Sequence, residues 1–151
     1  MTAMQDPVQF IKKHYVGVLS THSVSEPGYP FGSITPYIVT EDGDLAIYIS
    51  ELAEHTRNIR QNNKVSLTIY QQPDQHNPGS GSRITCLADA LLATDQAVLQ
   101  QQYAQQIPDA ELTLSLPGFE FYRLHPKRIR LIAGFGQIKW LEPSLLAHKN
   151  Q

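Results

Sequence analysis

A chain of 151 residues with 41% hydrophobic and 17% charged side chains suffices for one domain with a real hydrophobic core, taken as residues 1–151. Its 12 basic and 14 acidic residues leave a net charge of -2, which excludes the basic surface that non-specific nucleic-acid binding requires. A single cysteine, Cys86, excludes an internal disulfide and a multi-cysteine zinc site, and no apolar run approaches the ~20 residues that span a bilayer.

Met1 to Asp6 lacks the basic-then-apolar pattern of a secretory leader, so a cytoplasmic location is expected. Asp6-Pro7 is a helix start, with Asp as cap and Pro at the first helical position. Val8, Phe10 and Ile11 give that helix an apolar face up to about Tyr15. Val16 to Thr21 reads as a buried strand and Ser25 to Pro30 as a turn. Phe31 to Thr40 is a second strand, in which Pro36 marks an edge or a bulge. Asp42-Gly43 signals a tight hairpin, and Leu45 to Ile49 returns as a third strand. A short helix covers Ser50 to Asn62, and Val65 to Tyr70 is strand four. Gln71 to Ser82 has Pro, Gly and no periodicity, which makes it a loop. Arg83 to Ala90 is strand five. Asp95 to Gln106 is a Gln-rich helix, and Asp109 to Leu116 a shorter one. Two late strands follow, Phe119 to Leu124 and Ile129 to Phe135, both alternating apolar and polar. Six or seven hairpin-linked strands and a few short helices make a mainly β, antiparallel, closed or partly closed barrel.

The helix between strands three and four is the richest segment chemically. Its first turns carry a hydroxyl, an imidazole and a guanidinium. A helix N-terminus offers unpaired N–H groups and a positive dipole end, which favour an anion. Arg57 adds a permanently charged, bidentate donor for phosphate or carboxylate. Spacing alone favours an amphipathic connector with a solvated polar face, with Arg57 paired to Glu54 one turn back.

The order strand, Pro-rich turn, strand, Asp-Gly hairpin, strand, then Ala53-Glu54-His55-Thr56-Arg57-Asn58-Ile59 and Val65-Ser66-Leu67 resembles the FMN-binding split-barrel superfamily that includes pyridoxamine-phosphate oxidase. Phe121-Tyr122-Arg123-Leu124-His125-Pro126 before Ile129 to Ile132, and Gly134-Phe135-Gly136-Gln137-Ile138-Lys139-Trp140, resemble the HugZ/HutZ-like haem-utilisation proteins within it. The likeness runs from about Phe10 to Trp140. It implies a homodimer of six- or seven-stranded split barrels with a small-molecule cofactor, haem or FMN, at the interface. The function it implies is haem binding there and oxidative haem degradation. An FMN-dependent oxidoreductase and a non-catalytic haem or flavin store are the alternatives.

The resemblance also assigns residues. His55 would lie near the haem face or its propionates, or bond a flavin phosphate. Thr56 and Arg57 would grip the anionic group, and Arg83 would neutralise it further. Gly134 and Gly136, flanking Phe135, would admit a flat ligand or turn a barrel corner, while Trp140 would pack an interface. His148, the last histidine, matches the C-terminal axial ligand of haem iron. Two departures favour the storage alternative. Relatives place an Asp before the Phe that opens the late strand, where this chain has Gly118 before Phe119, and Glu120 would face the other way. The tail that carries His148 is also shorter than in those relatives. His14, His22, His76 and His125 read as surface or loop residues, and Cys86 as a small buried hydrophobe.

Overall fold

In the computed structural model, which describes residues 6–133 and 136–147, the chain opens as the sequence predicts. Asp6 accepts a hydrogen bond from the Val8 N–H at 3.0 Å and starts α1 (Pro7–Lys13). Then come β1 (Val16–His22), β2 (Pro30–Pro36), β3 (Ile38–Val39) and β4 (Leu45–Ser50). After α2 (Glu54–Gln61) and β5 (Lys64–Tyr70), β6 (Arg83–Leu92) leads to α3 (Gln96–Gln106) and α4 (Ala110–Leu114). The chain closes with β7 (Phe119–Ala133), β8 (Gln137–Leu141) and α5 (Ser144–Ala147).

All pairings are antiparallel, in the order β2-β1-β5-β6-β7-β4-β3 with β8 added on β7, and the eight strands curl into a half-barrel. Leu19, Leu67, Ile84, Leu124 and Ile129, all 0% exposed, fill the concave side. A second cluster forms on the other face of β3, β4 and β7, where α3 and α4 pack Leu99, Tyr103 and Ala110 over Ile38, Ala46 and Phe121. Burying β4 on both faces explains why its sequence, Leu45-Ala46-Ile47-Tyr48-Ile49, hardly alternates.

The strand count rises from the expected six or seven to eight for local reasons. Phe31 to Thr40 divides at Tyr37, because Pro36 has no N–H to continue the ladder. Tyr37 instead donates its backbone N–H to Tyr15 at 3.0 Å and its buried hydroxyl to the Ile11 carbonyl. The two late strands fuse into one, since a bulge takes up Lys127: Leu87 pairs Arg128 while Ala88 pairs Pro126. β8 then returns along β7, with Ala133 opposite Gln137 and Arg130 opposite Trp140. At the β3–β4 hairpin Gly43 takes φ +93, and a Cβ there would lie 2.9 Å from the Ala147 backbone. Glycine is therefore required both by the turn and by the approach of α5.

One test of this scaffold is Tyr37→Phe. It leaves the Ile11 carbonyl without its buried donor, and a loss of about 1–2 kcal/mol is expected in urea denaturation. Burial also drives the phenol well above its ordinary pKa, so this hydrogen bond is intact across neutral and mildly alkaline pH.

Candidate functional site

α2 is held by its own polar residues. Thr56 is fully buried, and its hydroxyl donates to the Ser50 carbonyl at 2.6 Å. Asn58, also 0% exposed, accepts from the Val24 N–H at 3.0 Å and donates to the Thr21 hydroxyl at 3.0 Å. The helix is thus anchored to the end of β4, to β1 and to the turn after it. Thr56 spends its only proton inside the chain and orients the helix.

Arg57 and His55 project from this anchored helix. Arg57 approaches Glu54 at 3.5 Å, but their side chains are 55% and 38% exposed, so the contact is weak and the guanidinium stays available to solvent. His55 is half-buried, with Nδ1 at 3.0 Å from the Ser33 hydroxyl on β2. Its Nε2 is buried and has no hydrogen-bond partner among the described residues. Burial lowers the imidazole's pKa below its ordinary value, so His55 is neutral at pH 7.

Arg83 lies elsewhere. It begins β6 opposite Tyr70 and Ile132, and its Nη1 donates to the Gly81 carbonyl at 3.0 Å and the Gly79 carbonyl at 3.5 Å. Ser33, Leu19, Leu67 and Cys86 form one row across β2, β1, β5 and β6. Arg83 lies beyond that row towards Tyr70, whereas the Asn58 anchor on Thr21 lies to its other side. Within one protomer the described hydrogen bonds and ion pairs do not join Arg83 to α2. Gly136 has φ +80 with open space around it, as a turn residue between β7 and β8. Gly134, Phe135 and His148 lie outside the described residues.

The outer face of the sheet is the side away from Leu19, Leu67 and the Ser33 that holds His55. Strand alternation turns Val16, Ile34, Tyr70 and Leu87 outwards, and they are 46%, 71%, 46% and 38% exposed. Two grooves cut this face. One of about 370 Å³ is lined by Ser20, His22, Lys64, Ser66, Leu87 and Lys127. The other, of about 350 Å³, is lined by Lys13, Val16, Val18, Ile34 and Tyr70. An apolar sheet face of this extent, cut by grooves and rimmed by cations, marks a binding surface. Sequence reasoning missed two residues here and gave a third, Trp140, interface packing rather than stacking. Arg128 and Arg130 alternate with the core residues Ile129 and Leu131, and both rest on Trp140, their guanidinium carbons 4.1 Å and 5.1 Å from its ring centroid. The alternation was visible; the meeting with Trp140 depended on the β7–β8 register.

Such a curled antiparallel sheet with an open outer face and short helices at its ends is a split β-barrel. Residues 5–133 match the pyridoxamine 5'-phosphate oxidase family, and the chain belongs to it. It is 36% identical over 120 residues to the chloroplastic heme oxygenase HOZ of Arabidopsis thaliana, covering 78% of this chain and 36% of that protein. The chain therefore spans about a third of the length of that curated relative. The structure of a heme binding protein from Mycobacterium smegmatis superposes with a TM-score of 0.79 at 20% identity, over 97% of this chain and 62% of the other. HutZ, the heme storage protein of Vibrio cholerae, gives 0.65 at 24%, over 82% and 89%. At these identities the two structures attest the fold.

Proposed function

We propose that this chain binds haem in a crevice between two copies of itself and degrades it oxidatively. The observation that supports the reading best is the outer sheet face, with exposed Val16, Ile34, Tyr70 and Leu87 and two grooves lined in part by Lys13, Lys64 and Lys127. Pairing of two such faces would bury the apolar residues. The donor set suits an anionic, flat ligand: Arg57 is only weakly engaged by Glu54, and Arg83 bonds carbonyls rather than a carboxylate. In this reading Arg57 and Arg83 hold the propionates. His55, neutral and oriented through Nδ1 by Ser33, lies near the ring in this reading. Haem itself supplies the oxygen chemistry, given a reductant; the chain binds, orients and excludes water. The haem oxygenase relative lends support to the degradative version.

A second reading rests on the family match: the same cations would grip the phosphate of FMN in an oxidoreductase. Parallel titration with hemin and FMN separates the two, and hemin bound unchanged in ascorbate and oxygen would leave a storage role. The interface is tested by Ile34→Asp. A buried, unpaired carboxylate at this site should convert a dimer to monomers in sedimentation velocity and lower hemin affinity together with it. A wild-type protein that sediments as a monomer sinks the crevice.

A further inference from the structure

We infer that Arg128, Arg130 and Trp140 complete the anion site that Arg57 and Arg83 begin, a clamp on the paired carboxylates of the haem, and this assignment rests on the haem reading above. Ile129 and Leu131 are in the core, 0% and 1% exposed, so the intervening arginines must point to the outer face. The β7–β8 register sets Trp140 opposite Arg130, and the indole, 44% exposed, carries both guanidiniums against it. A guanidinium resting on an aromatic ring is fixed in place, yet its N–H donors remain unspent.

The surroundings favour an anion. Arg83 stands opposite Ile132 and Thr85 opposite Arg130, so Arg83 is the diagonal neighbour of Arg130 on the same face. Three cations therefore crowd one patch of two adjacent strands. Among the described residues none of the three has a carboxylate within ion-pair distance, although Lys64, Arg60 and Arg123 each have one. Like charges so placed repel each other, and a bound anion removes that cost. The donors also select the anion. Residues two apart on one strand face are about 6.7 Å apart at the backbone. The two guanidiniums converge on one indole, and each offers a bidentate donor pair, enough for two carboxylates on adjacent arms of one ring. Exposed Ile138, next to Trp140 along the outer face, adds an apolar surface for the ring.

The test uses the whole chain, with hemin, hemin dimethyl ester and FMN as probes. Trp140 is the sole tryptophan, so its fluorescence, together with the Soret band, follows binding. The Arg128→Gln/Arg130→Gln double variant should bind hemin about 100-fold more weakly, roughly tenfold for each arginine. The Arg128→Lys/Arg130→Lys variant should recover part of this. The ester should bind both proteins alike, and in wild type more weakly than hemin. That last comparison needs no variant and holds even if the double variant folds poorly. Unchanged hemin affinity in a folded double variant overturns the clamp and leaves the haem reading standing. An FMN affinity that falls while hemin binding does not also overturns it. No hemin binding by wild type removes the haem reading first, and the clamp with it.

Discussion

Replacing Arg123 with methionine should lower stability by about 3 kcal/mol at pH 7, measured by chemical denaturation. Arg123 projects from β7 with a side chain only 20% exposed. Its Nη1 donates to Asp42 at 2.9 Å and Asp44 at 3.0 Å, and its Nη2 to Asp95 at 2.7 Å. One guanidinium thus joins the β3–β4 hairpin, the late strand and the start of α3. An exposed ion pair contributes ~1 kcal/mol or less, but here three carboxylates would lose one shared cation. Asp44, 15% exposed, has little water to replace it. Methionine keeps the apolar stem, so the loss reports the charge rather than a cavity.

The pH dependence has a definite sign. Asp95 is held below the ordinary carboxylate pKa by its hydrogen bond from Arg123, and Asp42 by its bonds from Thr40 and then Arg123. A carboxylate depressed in the folded state contributes stability that is complete above its unfolded pKa of about 3.9. That contribution disappears as pH falls through the lower, folded value. The difference between wild type and Arg123→Met should therefore be constant from pH 7 to about pH 5 and shrink below about pH 4. A difference unchanged at pH 3 would mean that the arginine stabilises the fold by packing instead.

Local chemistry carried most of the architecture into the sequence. The cap at Asp6, the Asp42-Gly43 hairpin and the alternation of the two late strands each specify an element by short-range physics, and each formed, the late strands as the two halves of β7. Tertiary pairing decided the rest. Pro126 reads as a strand breaker, yet a bulge absorbs it within one continuous β7. The site divides the same way. Arg57, exposed on α2, is singled out by the resemblance of its segment and not by the spacing of its neighbours. Thr56 was legible as a member of the segment, but its buried bond to Ser50 depends on how β4 meets the helix. Ser33 could not be tied to His55 across 22 positions of chain without knowing the sheet. Arg128, Arg130 and Trp140 met only through the β7–β8 return.

Asn58→Ala should be as costly as the loss of Arg123, about 3 kcal/mol, and should weaken hemin binding as well. The amide is fully buried and uses both ends: Oδ1 takes the Val24 N–H, and Nδ2 gives to Thr21. Alanine leaves that N–H without a partner and leaves the Thr21 hydroxyl only its own donation to the Phe31 carbonyl, beside a small void where water has little room to compensate. The effect on binding is indirect, through the helix that presents His55 and Arg57. Arg57→Gln supplies the contrast. That side chain is 55% exposed, so its loss should change stability by less than about 0.5 kcal/mol. In the proposed haem reading hemin affinity should nevertheless drop, because Arg57 is there a contact rather than a support. Thr21→Val should be non-additive with Asn58→Ala, since each removes the other's partner. Melting curves of the two single variants and the double variant, run beside hemin titrations of Asn58→Ala and Arg57→Gln, decide the matter. An Asn58→Ala protein as stable as wild type would show that α2 is held by its apolar face, chiefly Ile59, and that the buried amide does not position the cations.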